Sequence, residues 1–303
     1  MTGSFEVIRD IEYRAGDGEH TAQRFDLFRP EAPRLPGAFI YLHGGGWRFG
    51  DKATSESIPA ALARAGITTI NANYTLTTEH PYPRNLDDVL ALIAYTGDHA
   101  EDLGLGADDA PVTGIGGSSA GGHLASLAIT KGIAEDRLAS VPAAVVSWYA
   151  PLDPVSRYLK HRYPDAPYPG GFWDRGDAEP PVPRDPFVPF IGTPEFDTVT
   201  LREALDGDPR LHLASLSPAD LPPFLLLVGS RDSAEIRYSQ RTWHGALRSI
   251  GADSTLLEIA DADHADPLFS SHPVIGAVVG HLESAAHSAR DRVAASRLQF
   301  RTS

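Results

Sequence analysis

The stretch Gly114-Ile115-Gly116-Gly117-Ser118-Ser119-Ala120-Gly121-Gly122-His123 carries the strongest chemical signal in the chain. Within it, Gly117-Ser118-Ser119-Ala120-Gly121 puts a glycine two positions before and two positions after Ser119, which Ser118 lacks. An apolar run precedes this segment and the helix-like His123–Ala128 follows it. Ser119 is therefore expected on a sharp strand-to-helix turn, where small neighbours avoid clashes with both elements. The start of the helix also favours negative charge forming nearby. Glycine-rich strand–helix turns can cradle phosphates instead, but neither the Walker spacing with its Lys nor G-x-G-x-x-G with a distal acid fits well here. The chemistry implied is nucleophilic attack by a serine oxygen.

A second signal, Tyr41-Leu42-His43-Gly44-Gly45-Gly46-Trp47, ends an earlier apolar run. Glycines there let backbone N–H groups approach a substrate oxygen without an intervening Cβ. Acyl transfer needs such donors where the oxyanion develops, each worth roughly 10²–10³ in rate. A serine hydroxyl also needs a base, itself oriented by an acid. The order that accompanies such a turn is Ser, then Asp or Glu, then His.

Seven histidines follow the helix after Ser119: His161, His212, His244, His264, His272, His281 and His287. His264 stands apart, in the polar loop Asp261-Ala262-Asp263-His264-Ala265-Asp266 just after the last strand-like run. His244 lies in an amphipathic helix, His272, His281 and His287 at or near the last helix, and His161 and His212 near the ends of an insertion. Asp232, in Val228-Gly229-Ser230-Arg231-Asp232, follows the preceding strand and is the candidate acid. It also stands where an N-cap would precede a helix over Ala234–Tyr238. Asp263 is the nearest rival acid, although its side chain would have to fold back along its own short loop. Trp47 and Trp148 are the candidate substrate contacts.

The elements that must position these residues are legible as a rhythm. Two antiparallel edge strands are expected around Gly16-Asp17-Gly18, with Phe25 and Leu27 facing inward on the second. Beyond the Pro-rich break at Pro30–Pro36, buried strands are expected at Ala38–Leu42, Thr68–Asn73, Val112–Gly116, Ala143–Trp148, Phe224–Val228 and Thr255–Ile259. Helices are expected at Ser57–Ala65, Asn85–His99, Ser119–Thr130, Ser239–Ile250 and Pro273–Ala286. Continuous apolar strands between amphipathic helices imply an α/β fold, a mostly parallel twisted sheet with helices on both faces. Residues 1–303 read as one domain. Residues 153–215 interrupt the rhythm with Pro, Gly and aromatics (Tyr163, Tyr168, Phe172, Trp173, Phe187 and Phe190), which reads as a lid or substrate-binding insertion. Arg290–Ser303 reads as a fraying helix or tail.

At these residues the chain resembles the α/β-hydrolase esterase/lipase group, which includes hormone-sensitive-lipase-like esterases, feruloyl-esterase-like proteins and kynurenine-formamidase-like enzymes. The likeness covers about residues 20–285, and its most specific parts are His43–Trp47 and Gly117–Gly122. Arg24-Phe25-Asp26-Leu27-Phe28-Arg29-Pro30 looks more like the feruloyl-esterase and formamidase branch than the branch with a helical N-terminal cap. The resemblance implies Ser119 as nucleophile, Asp232 as acid and His264 as base. It also implies the amides of Gly45, Gly46 and Ala120 as oxyanion donors, with Gly44 as a substitute. Two departures stand out: the His loop lacks its usual glycines, which leaves Asp263 in contention as the acid, and Ser118 replaces the usual acidic residue before the nucleophile.

The bulk properties set the remaining bounds. The net charge of −14 argues against nucleic acid or an anionic membrane as the main partner. The absence of cysteine excludes disulfides, thiolate metal sites and a cysteine nucleophile. Neither a signal peptide nor an apolar stretch long enough to span a bilayer is visible, so a cytoplasmic protein is expected. The chemistry requires no metal or organic cofactor. The expected partner is a small-molecule ester with an apolar or aryl group, and the sequence does not report the oligomeric state. The alternatives are an amidase or formamidase using the same triad, or a ligand-binding protein on a hydrolase scaffold.

Overall fold

Strands form where β-branched, aromatic and aliphatic residues run together, and those among the described residues share one sheet. The structure, a computed structural model, describes residues 3–16, 23–106, 112–156, 159 and 201–299. Its strands are β1 (Phe5–Arg14), β2 (Gln23–Pro30), β3 (Ala38–Leu42), β4 (Thr69–Ala72), β5 (Val112–Ser118), β6 (Val145–Trp148), β7 (Phe224–Gly229) and β8 (Ser254–Ile259). They lie in the order β1-β2-β4-β3-β5-β6-β7-β8. The β1–β2 and β2–β4 pairs are antiparallel, and from β4 across to β8 every pairing is parallel. The helices are α1 (Ser57–Arg64), α2 (Arg84–Asp98), α3 (Ala120–Ala134), α4 (Leu201–Asp206), α5 (Pro209–His212), α6 (Ala234–Ser249) and α7 (His272–Gln299). The parallel-sheet expectation holds, with element ends moved by a few residues.

The two faces of the sheet carry separate cores. On β3, Ile40 and Leu42 point to one face, where they join Leu86 and Ile93 of α2, Leu124 and Leu127 of α3, and Trp243 of α6. Phe39 and Tyr41 point to the other, with Ile58 and Leu62 of α1 and Val278 and Leu282 of α7. This two-residue alternation turns an apolar run into a strand covered on both sides. The last helix extends past the expected Ala286 as far as Gln299. No helix among the described residues is long and apolar enough to cross a membrane.

One expectation is corrected at the start of the sheet. Of these two strands, β1 alone lies at an edge. β2 lies between β1 and β4, because its second edge pairs through Phe25 with Ala72 and through Leu27 with Ile70. Phe25 and Leu27 are buried as expected, yet Asp26 and Phe28 on the opposite face are buried too. The fully buried Asp26 carboxylate accepts from Lys52 Nζ at 2.6 Å, from Arg9 Nη1 at 2.6 Å and from the Asp10 amide at 2.9 Å. Burial alone would push its pKa up, but these bonds outweigh burial and hold it below the ordinary value. Lys52 is fixed in turn, since its amide donates to Asn73 Oδ1 and its carbonyl accepts from Asn71 Nδ2.

Most of the 153–215 insertion, including its six named aromatic residues, lies outside the described residues, as do Asp17, Gly18, His161 and residues 300–303. In the described remainder, Arg210 pairs with Asp153 and Asp208, joining the start of the insertion to its end. Tyr82 Oη donates to Asp206 Oδ2 at 2.7 Å.

Replacing Lys52 by Met leaves the buried Asp26 carboxylate only the half-exposed Arg9 and the Asp10 amide. The expected loss is about 3 kcal/mol in urea unfolding. The sign with pH follows from the depressed Asp26 pKa. Its contribution is full above the unfolded value of about 4 and is lost as pH falls through the folded value. In Lys52→Met the folded-state pKa of Asp26 rises, so the stability deficit relative to the unaltered protein should be largest near neutral pH and should narrow as pH falls below about 4.

Candidate active site

Ser119 is the single residue between β5 and α3, with φ +50° and ψ −117°. A non-glycine residue adopts such angles only where its surroundings over-determine them. Here the Ser119 amide donates to the Trp148 carbonyl at 2.8 Å, and the Ser119 carbonyl accepts from the His123 amide at 3.1 Å. The flanking glycines are required sterically. A Cβ on Gly117 would lie 2.4 Å from the Leu42 carbonyl oxygen, and one on Gly121 would lie 2.2 Å from the same atom. The G-x-S-x-G spacing thus reports the close approach of α3 to the end of β3.

His264 reaches Ser119 from the loop after β8, its Nε2 lying 3.2 Å from Ser119 Oγ. Its Nδ1 lies 2.9 Å from Asp232 Oδ2 and 3.2 Å from Oδ1, so the protonated Nδ1 donates to the carboxylate and Nε2 can accept from the hydroxyl. Asp232 is almost wholly buried, whereas the His264 side chain is 43% exposed. The Ser233 amide also donates to Asp232 Oδ1 at 2.6 Å. The N-cap of α6 is Ser233, whose hydroxyl accepts from the Ile236 amide, and not Asp232. The two loops are stitched together: the Arg231 amide donates to the Ala262 carbonyl at 3.0 Å and the Asp261 amide to Ser230 Oγ at 2.9 Å.

The glycine turn stands beside the serine. Gly46 lines the cleft together with Ser119 and Ala120. Gly45 has φ +122°, and its carbonyl accepts from the amides of Arg48 and Phe49, which coils the chain away from β3. The Gly44 carbonyl accepts from His43 Nδ1 at 2.7 Å. The His43 ring stacks on Tyr74 at 4.4 Å, and its burial pulls its pKa down. Trp47 lines the cleft, with only 1% of it exposed. Trp148 is corrected: it is wholly buried, packed edge-on against Phe39 and Tyr41, and absent from the cleft wall. The last residue of β6 points its side chain into the sheet's second core, and only its carbonyl serves Ser119.

Sequence reasoning missed the next residue. Tyr149 follows β6 directly, the sheet-end position that would have flagged it. Its ring meets the His264 imidazole at 4.8 Å and Phe269 at 4.6 Å. Its phenol hydrogen-bonds Ser118, and burial pushes it up to about 12, so it remains protonated. Tyr41 Oη donates to Ser118 Oγ at 3.0 Å. Two tyrosines therefore bracket the serine that stands where an acid was expected. Around Ser119 and His264 a cleft of about 560 Å³ opens, walled by Gly46, Trp47, Ala120, Pro151, Ile236 and Asp263. Among the described residues, no group of three or more His, Cys, Asp or Glu is placed to hold a metal ion.

The profile of the alpha/beta hydrolase fold matches residues 39–267, from β3 to just beyond His264. The chain belongs to the alpha/beta hydrolase fold family. Carboxylic ester hydrolase LipN of Mycobacterium tuberculosis (strain ATCC 25618 / H37Rv) is 30% identical over 262 residues, which cover 85% of this chain and 63% of LipN. Esterase LipC of the same organism is 27% identical over 300 residues, covering 93% of this chain and 65% of LipC. The match therefore spans a little under two thirds of each relative's length. Among solved structures, a truncated carbohydrate esterase from gut microbiota superposes with a TM-score of 0.69 at 20% identity, covering 94% of this chain and 98% of that one. A bacterial heroin esterase superposes with a TM-score of 0.64 at 20% identity, covering 94% of this chain and 84% of that one. At these identities the structural likenesses speak to the fold of this alpha/beta hydrolase.

The elbow of this alpha/beta hydrolase should tolerate no side chain at its +2 glycine. Gly121→Ala is expected to lower stability by about 2 kcal/mol or more, because the added methyl meets backbone and not a flexible side chain. Thermal melting gives the comparison, and an unchanged midpoint would show that α3 can shift away from β3.

Proposed function

We propose that this alpha/beta hydrolase is a serine esterase that cleaves carboxylic esters through an acyl-enzyme. The observation that carries the reading is the continuous relay from Ser119 Oγ to His264 Nε2 and from His264 Nδ1 to Asp232, at 3.2 and 2.9 Å. A serine hydroxyl is a weak nucleophile until a positioned base takes its proton. In the first half-reaction Ser119 Oγ attacks the acyl carbon and its proton passes to His264 Nε2. The carbonyl oxygen becomes an oxyanion held by the amides of Gly45, Gly46 and Ala120, with Gly44 as a substitute donor. The intermediate collapses to the acyl-enzyme as His264 gives the proton to the departing alkoxide. Water then enters with His264 as base, and a second collapse frees the acid and restores Ser119. Asp232 stays ionised throughout, fixing the imidazole tautomer and stabilising the imidazolium.

Esters are favoured over amides because an alkoxide leaves more readily than an amide nitrogen. The names of the relatives, a carboxylic ester hydrolase and an esterase, support the same choice.

A fluorophosphonate probe should label Ser119 and leave Ser119→Ala unmarked. Asp232→Asn should lower kcat about 10⁴-fold, and His264→Ala at least as much. Asp263→Asn should not reproduce the Asp232→Asn loss; if it did, the acid would be misassigned. Across p-nitrophenyl esters, aryl esters and N-formyl amides, turnover of the esters should lead. Faster turnover of the amides would replace the esterase reading with an amidase one. Gly45→Ala should cost about 10²-fold in kcat while the fold persists by circular dichroism, because a side chain at φ +122° displaces the donor loop.

A further inference from the structure

The loop that carries His264 holds three aspartates, and two of them have evident local roles. Asp261 pairs with Arg231 at 2.6 Å. Asp266 accepts from the Leu268 amide at 2.9 Å, capping the short 3-10 turn Pro267–Ser270, and also receives the Asp263 amide. Asp263 is different. It is exposed, it lines the cleft beside His264, and among the described residues no cation or hydrogen-bond donor meets its carboxylate. Nor does it share the triad's work, since His264 Nδ1 is taken by Asp232. The one arginine or lysine on the described cleft wall, Arg231, already faces Asp261, so its charge is offset.

A carboxylate that no described residue pairs, on the wall of a cleft that opens on Ser119, acts on whatever charge the substrate brings. Nothing on the described wall invites an anionic substrate, and the chain as a whole carries −14. We propose that Asp263 makes this cleft selective for esters that carry a positive charge, such as esters of quaternary or protonated amino alcohols, over neutral and anionic ones. The inference rests on the esterase reading above and adds the charge class of its substrate.

The test uses two acetate esters of nearly the same shape, acetylcholine and its uncharged carbon isostere 3,3-dimethylbutyl acetate. The readout is the ratio of their kcat/KM values, divided by the ratio of their hydroxide-catalysed rates to remove the inductive effect of the ammonium group. An exposed ion pair is weak, so the normalised ratio should exceed unity by about two- to fivefold at low ionic strength. It should fall towards unity in about 1 M salt, where charges are screened over a few ångströms. Asp263→Asn should bring the ratio to about unity at low salt, and Asp263→Glu should preserve it. Choline should compete with the neutral ester better than 3,3-dimethylbutanol does, and Asp263→Asn should remove that difference too.

A normalised ratio of unity in the unaltered protein overturns the proposal. So does a preference that survives Asp263→Asn, because it would belong to the protein's overall charge and not to this residue. Turnover of the neutral ester without charge preference refutes the inference alone. If neither ester is hydrolysed and the fluorophosphonate leaves Ser119 unmodified, the esterase reading fails and this inference falls with it.

Discussion

The backbone at Ser119 is held at φ +50°, an arrangement that costs an isolated chain roughly 1–3 kcal/mol. It persists because β5 is bonded on both sides, to β3 and to β6, and because α3 is buried along almost its whole length. The turn lifts the hydroxyl clear of the sheet only if the helix starts directly against the end of β3. That contact leaves no room for side chains at 117 and 121. It also explains why α3 opens with Ala120, Gly121 and Gly122 and shows no strongly polar face. Much of the sheet around β3, β5 and β6 can be understood as support for this one strained junction.

Sheet order supplies the other partners. Ser119, Tyr149, Asp232 and His264 follow β5, β6, β7 and β8, four successive strands of the parallel region. Neighbouring strands lie about 4.8 Å apart, so the end of β8 stands roughly 14 Å from the end of β5. No side chain of histidine length spans that gap from the strand itself. The loop must fold back over the sheet, and Tyr149, at the end of the intervening β6, provides the surface on which the imidazole rests. Asp232, one strand nearer, then meets the imidazole from the far side. The bonds between the Asp232 and His264 loops keep that return path from drifting.

How much of this was legible in the sequence depends on where each residue's partner lies. The elbow glycines answer to a local crowding problem, so their spacing alone pointed to Ser119. The apolar runs likewise gave the strands, because burial on both faces leaves a continuous signature. The burial of Asp26 could not be read from the sequence, because alternation with Phe25 and Leu27 puts it on the face opposite the inward pair. Its partners Lys52 and Arg9 come from other segments, and a pattern in β2 cannot register them. Trp148 misled for a related reason: the end of a strand near the nucleophile suggests a substrate contact, but which face its side chain takes depends on the sheet's register. The cap of α6 went to Ser233 because Asp232 was committed to the imidazole.

The replacement of the expected acid by Ser118 gains meaning beside the acidic His loop. In the proposed acyl transfer, negative charge develops near the Gly45, Gly46 and Ala120 amides while positive charge develops on His264. Next to Ser119, Ser118 contributes a neutral hydroxyl held by Tyr41 and Tyr149, so no carboxylate there opposes the proposed oxyanion. On the His264 side stand Asp232 and Asp263, one in contact with the imidazole and the other in the cleft wall. Acidic residues are thus gathered where a cation forms and missing from the described wall where an anion forms. A carboxylate at position 118 would add a charge of the wrong sign beneath the oxyanion, and a neutral, doubly anchored serine avoids it while still filling the space between the two tyrosines.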